Sequence, residues 1–303
     1  MKTLMEGRTL MPQSIRLMLV SAVLIALIGA TTGFADVGAQ KVSLKFHPTV
    51  GQTTTYETTT ISEIETKGMP GLPAAGQKQT MTQVVEQTQT VKAQQPNGNY
   101  LIELSFGQGS MQIGDRAPVT SGELAVAGKA FTMEMSPEGK LLNIQGLGDV
   151  RPEVKGSVQN MIQQAGGSFV FSQRDVAVGE TWQRTIETVL PLGTTGGKVE
   201  QKMICDYTLL GVESMEGVPA AKISMKMKIE QKSTPESKQM QVQATGTGEG
   251  ILYYDYQNSK VLSSNLTTTI NMSTTINPPP GRSHSPISSQ QHVVTRTTMK
   301  IKK

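Results

Sequence analysis

The side chains able to do chemistry are few, and their spacing argues against each reaction they suggest. Of the three histidines, His284 and His292 lie in or beside a Pro/Ser-rich stretch and His47 sits next to Pro48. Metal sites need three or four converging ligands, and no Cys/His spacing supplies them, so all three read as surface residues and no metal or other cofactor is expected. The one cysteine, Cys205, shares the apolar parity of Met203, Tyr207 and Leu209 and reads as a small core residue. Gly193-Thr194-Thr195-Gly196-Gly197-Lys198 imitates a phosphate loop, but its glycine spacing is one short, Val199 stands where Ser/Thr would hold magnesium, and a strand follows in place of a helix. Gly246-Thr247-Gly248-Glu249-Gly250 also precedes no helix and reads as a bulge or bend in a strand. No Gly-x-Ser-x-Gly elbow occurs, and Gly167-Ser168 only leaves a helix. Glu57, Glu63 and Glu65 lie on strands, where nothing in the spacing sets two carboxyls the roughly 5–9 Å apart that glycoside hydrolysis requires. The chain is expected to be non-enzymatic.

The elements that would carry any site begin after an export signal. Lys2, Arg8 and Arg16 precede an uncharged run, Leu17 to Ala30, and Gly33-Phe34-Ala35 supplies the small residues that a signal peptidase reads, with cleavage after Ala35. That run reaches about 21 Å as a helix against a bilayer core of roughly 30 Å, so no stable transmembrane anchor is expected. No cysteine follows the cleavage site to take a lipid. The mature protein is expected to be soluble in a periplasm or outside the cell. Removing residues 1–35 takes Lys+Arg from 28 to 25 and Asp+Glu from 24 to 23, leaving a net charge of +2. No Lys/Arg stripe is interleaved with aromatics, and no nucleic-acid partner is indicated.

Two-residue alternation dominates the mature chain. Ile223, Met225, Met227 and Ile229 share one parity and Lys222, Ser224, Lys226 and Lys228 the other, as in an antiparallel strand with one buried face. Similar runs imply a mainly β, antiparallel fold of about a dozen strands, in two repeat halves forming a half-barrel or sandwich-like sheet. One segment differs: Val154, Val158, Met161, Ile162 and Ala165 fall on one face of a helix, opened by Pro152 and closed by Gly166-Gly167. Around it, Val50-Gly51-Gln52-Thr53 is echoed by Val178-Gly179-Glu180-Thr181, Asn97-Gly98 by Glu216-Gly217, and Lys140-Leu141-Leu142 by Lys260-Val261-Leu262, at offsets of 128, 119 and 120 residues. The expected layout is a signal peptide at 1–35, a first half at 36–150, a connecting helix at 151–167 and a second half at 168–303. Polar tips are expected at Lys67 to Gln79, Pro191 to Lys198, Lys232 to Gln239 and Asn277 to Gln291.

The two Val-Gly-x-Thr segments, Ser136-Pro137-Glu138-Gly139-Lys140-Leu141 and Trp182 resemble, in their order, an uncharacterised family of exported bacterial β-rich proteins, a domain of unknown function with no assigned activity. More distantly, the pattern is similar to the periplasmic lipoprotein-carrier half-barrel, which implies an apolar cavity closed by helices. The expected function is that of an envelope protein binding an apolar or amphipathic partner such as a lipid or lipoprotein. Val158, Met161, Ile162, Met225 and Met227 are its candidate lining, because methionine adapts to varied apolar surfaces. The alternative is an assembly protein that binds another envelope protein through exposed strand edges or hairpin tips.

Overall fold

The computed structural model describes residues 41–68, 76–120, 128–150, 155, 158–159, 162, 171–172, 174–192, 197–237, 239–278 and 285–302. Their strands are β1 (Lys41–Ser43), β2 (Thr53–Lys67), β3 (Gln77–Gln94), β4 (Tyr100–Ile113), β5 (Val119–Thr120), β6 (Ala130–Met135) and β7 (Leu141–Gln145). They continue with β8 (Asp175–Ala177), β9 (Thr181–Leu192), β10 (Gly197–Met215), β11 (Val218–Ser233), β12 (Met240–Asp255), β13 (Lys260–Ile276) and β14 (Ile287–Ile301). Twelve of them form one antiparallel sheet in the order β7-β6-β4-β3-β2-β14-β13-β12-β11-β10-β9, with β5 beside β4, and β1 pairs β8 separately. The sheet does not close, and β7 and β9 are its ends. The mainly β, half-barrel or sandwich-like architecture read from alternation is the one observed.

The strands are long. β10 has 19 residues and β3 has 18, where strands usually have 3–10. At about 3.4 Å per residue, β10 extends on the order of 60 Å. They also run further into the tips than their composition suggests. Lys67, Gln77 to Gln79, Pro191 and Ile287 to Gln291 lie on strands. Threonine and glutamine make ladder bonds as readily as apolar residues do, and Pro191 is tolerated because β9 is an edge.

Apolar residues of the alternating parity collect into two cores. The first joins Val42, Leu44, Val176, Trp182, Cys205, Tyr207, Leu209, Ile223, Met225, Leu252 and Tyr254 with Phe171. The second joins Tyr100, Ile102, Leu104, Phe106, Phe131, Met133 and Met135 with Val150, Val158 and Ile162. Phe46 packs against both, with its ring centroid 5.4 Å from Tyr100 and 5.2 Å from Phe171. Of the helix expected over 152–165, Lys155, Val158, Gln159 and Ile162 are described, and each is helical. Val158 and Ile162, four apart, are both buried, as one helical face requires. The helix's bounds, the leader at 1–35 and Gly166-Gly167 lie outside the described residues, among which no helix is long and apolar enough to cross a membrane.

The two Val-Gly-x-Thr segments take the same turn. Gly51 and Gly179 both have φ 87°, a conformation that favours glycine, and each donates its N–H across a strand, to Val91 O at 2.8 Å and to Leu209 O at 2.7 Å. Gly98 and Gly217 close the β3–β4 and β10–β11 hairpins at φ 86° and 84°.

Candidate functional site

Directly paired residues on neighbouring strands point to the same side of a sheet, so the register alone fixes which side chains share a face. From Cys205 one row runs through Met227, Gly248, Thr268, Thr295, Ser62 and Met81. The row on one side of it holds Trp182, Tyr207, Met225, Gly250, Leu266, Thr297 and Thr60. The row on the other side holds Ile186, Met203, Ile229, Gly246, Ile270, Val293 and Ile64. On this inner face every residue of β10 from Val199 to Leu209, of β13 from Ser264 to Thr274 and of β2 from Tyr56 to Thr66 is buried or half-buried. Outward-facing residues such as Lys226, Lys228, Glu249, Thr267 and Arg296 are exposed.

The burial is not all core. Val199, Ile229, Val242 and Ala244 are buried yet belong to neither cluster. They lie on the inner face of β10, β11 and β12, where the alternate glycines of β12 let β13 approach closely. A Cβ at Gly246 would lie 2.6 Å from Thr269 O, one at Gly248 2.7 Å from Met227 Cε, and one at Gly250 would collide with Asn265 O. Three consecutive inner-face positions therefore present bare backbone, and β13 approaches into the space that side chains would fill. Gly246-Thr247-Gly248-Glu249-Gly250 lies within β12, in unbroken register with β11 and β13.

The inner face has two unlike parts. On one side stand Ile186, Met203, Met225, Met227 and Leu266, all in or against the first core. On the other, across β14 and β2, hydroxyls satisfy one another: Ser62 Oγ lies 3.1 Å from Thr295 Oγ1 and Thr60 Oγ1 lies 3.4 Å from Thr297 Oγ1. Along the inner face of β9 to β14, β2 and β3, one Asp, Glu, Lys or Arg occurs among the described residues, Arg184. It is half-buried opposite Cys205, donates from Nη2 to Phe171 O at 3.1 Å, and makes no ion pair with a described residue. Sheltered positions exclude charge because desolvating it is costly, so an arginine there stands apart from its surroundings.

Only part of the expected lining meets here. Met225 is buried in the first core, and Met227 lies half-buried over the glycine strip. Val158 and Ile162 belong instead to the second core, and Met161 lies outside the described residues. Arg184 and Met203 are inner-face residues that the reading did not single out. The signal for Arg184 was present in Thr181-Trp182-Gln183-Arg184-Thr185-Ile186, where an arginine occupies the apolar parity between tryptophan and isoleucine.

The remaining chemical candidates are engaged in structure. Glu63 pairs with Arg296 at 2.5 Å, Glu65 with Lys67 at 2.8 Å and Glu57 with Lys300 at 3.1 Å. The cations beside them hold the Glu63 and Glu65 carboxyls below the usual range. His47 accompanies a serine, its N–H donating to Ser259 Oγ at 3.0 Å and its Nδ1 3.2 Å from the same oxygen. That hydroxyl ties the β1–β2 connection to the β12–β13 turn. His292 is exposed, with Nδ1 2.8 Å from Asn271 Oδ1, at a groove of about 510 Å³ formed with Glu65, Lys67 and Gln243. His284 and Gly193 to Gly196 lie outside the described residues. No group of three His, Cys, Asp or Glu is arranged for a metal ion among the described residues. Cys205 is a buried free thiol whose pKa burial pushes up. Ellman's reagent is therefore expected to react with the folded protein only as fast as the sheet opens, and at once in urea; rapid reaction of the native protein would place the thiol at the surface.

No family model and no curated protein matches the chain. Among solved structures it is similar to one described as lipid–protein interactions in lipovitellin, at 11% identity and a TM-score of 0.44, over 85% of this chain and 25% of that one. It spans about a quarter of the lipovitellin chain's length. It is also similar to DynF of the dynemicin biosynthesis pathway of Micromonospora chersina, at 9% identity and a TM-score of 0.20, over 87% of this chain and 86% of that one. OccK11 (OpdR) of Pseudomonas aeruginosa is similar at 7% identity and a TM-score of 0.20, over 86% of this chain and 100% of that one. At these scores the likeness assigns no family and no function.

Proposed function

We propose that the protein is a non-enzymatic, exported envelope protein whose inner sheet face binds an apolar or amphipathic ligand, a lipid or the acyl chains of a lipoprotein. The observation that carries this is the composition of one continuous face. It is sheltered, methionine-rich and floored by backbone, and it carries a single charge among its described residues. Methionine side chains repack around ligands of varied shape. Expression with its own leader, purification from the periplasm and medium, organic extraction and mass spectrometry should yield lipid in near-stoichiometric amount. Protein without lipid would remove the reading.

A second reading, assembly with another envelope protein, is favoured by one feature. Among the described residues β9 pairs on one side only, and Val189 on it is 51% exposed. An unpaired edge of that length can accept a strand from a partner. The same purification separates the two, because a co-purifying protein in place of lipid selects the edge.

A further inference from the structure

We infer that the protein pairs with a second copy of itself through β9, the two strands running antiparallel about Thr185. The inference is independent of the lipid reading of the inner face and commits the open edge to one partner. Main-chain bonding decides which groups of β9 are available. Leu209 O accepts from Gly179 N–H at 2.7 Å and Leu209 N–H donates to Glu180 O at 3.1 Å, so the odd residues of β10 bond toward β9. Lys198, which stands opposite Pro191, donates instead to Ser237 Oγ at 2.7 Å and accepts from Thr234 N–H at 2.9 Å, so the even residues of β10 bond away from β9. β9 and β10 keep one register without a bulge from Thr181 to Leu192. The main-chain groups of Thr181, Gln183, Thr185, Glu187 and Val189 therefore point out of the edge, and Pro191, which has no N–H, follows at the same parity. All five residues are exposed, and no described residue bonds to their main chain.

Side chains select the register. Like charges directly opposite one another destabilise a strand pair. A two-fold axis at Arg184 sets guanidinium against guanidinium, and an axis at Glu187 sets carboxylate against carboxylate. An axis at Ile186 sets Thr181 opposite Pro191, which has no N–H to give. Axes further along the strand overlap fewer residues. An axis at Thr185 avoids all of these faults. It sets Thr181 opposite Val189 and Gln183 opposite Glu187 on the outer face, and Arg184 opposite Ile186 on the inner face, with no like charges facing. Each of the five outward N–H groups then meets a carbonyl of the partner, and Pro191 falls just beyond the last pair. Such an interface is isologous, the same edge serving both copies.

Charge at the axis tests both the edge and the register. Sedimentation velocity of the purified protein across the micromolar range should show a species of twice the chain's mass. Thr185→Glu places two carboxylates against each other at the axis, and Thr185→Lys places two ammonium groups there. Each should raise the dimer's dissociation constant at least tenfold while leaving the far-ultraviolet circular dichroism spectrum unchanged, because the side chain is exposed. An equimolar mixture of the two variants should recover the dimer, which requires that position 185 of one copy face position 185 of the other. A protein that stays monomeric throughout, or a dimer indifferent to both substitutions, would overturn the inference. A dimer weakened by both and not restored on mixing would overturn the pairing about Thr185. Lipid extraction is read separately, so loss of the dimer leaves the inner-face reading standing, and loss of the lipid leaves the dimer standing.

Discussion

Replacing Trp182 with Ala should destabilise the protein by about 3–5 kcal/mol, the range for removing a large buried aromatic. The indole is 9% exposed, lies in the first core and stacks on Tyr207 with ring centroids 5.4 Å apart at 21°. Dispersion across that stack and the area it keeps from water are lost together. Its Nε1 is buried without a hydrogen-bond partner among the described residues. An unpaired donor costs about 1–3 kcal/mol, so Trp182→Phe removes that penalty along with part of the ring. The phenylalanine variant should therefore lose well under half of what the alanine variant loses. Urea denaturation followed by far-ultraviolet circular dichroism measures both. Equal losses would mean that the indole nitrogen does have a partner.

How much of this was legible beforehand depends on which signal each feature leaves in a one-dimensional string. Alternation located the strands wherever one face is apolar. Ile223 and Met225 are buried, and Lys226 and Lys228 are exposed, as the parity from Lys222 to Glu230 requires. It failed to measure their length, because Thr, Ser and Gln occupy both faces of β2, β13 and β14 and erase the contrast. The pairing of β2 with β14 joins residues more than 200 positions apart, such as Ser62 and Thr295, and no local pattern encodes it. The candidate lining is divided between two cores for the same reason. Met225 and Ile162 are both apolar and periodic, and only the strand order places them in different cores. Arg184 was different in kind. Its parity was readable, and it went unremarked because arginines at strand surfaces are ordinary until the neighbouring face is known to be empty of charge.

The glycines of β12 should tolerate alanine in a graded order set by what each new methyl group meets. Gly250→Ala should be the most damaging, because its Cβ would collide with Asn265 O and stand 3.1 Å from Leu266 Cα. Both are main-chain atoms held in the β12–β13 ladder, so relief requires the two strands to move apart. Overpacking of this kind costs about 1–3 kcal/mol, and a shift of the two strands apart adds to it. Gly246→Ala meets Thr269 O at 2.6 Å and should follow closely. Gly248→Ala meets the mobile Cε of Met227 at 2.7 Å and Cγ2 of Thr268 at 3.0 Å, and a methionine tip can rotate away. Replacing glycine also narrows the unfolded ensemble, worth about 0.4–1 kcal/mol where the backbone conformation is unstrained. That gain is comparable to the cost at Gly248 and too small to offset the cost at Gly250. Urea midpoints should therefore fall strongly for Gly250→Ala, somewhat less for Gly246→Ala and barely for Gly248→Ala. A Gly250→Ala midpoint equal to that of the unsubstituted protein would show that β13 does not press against β12 there.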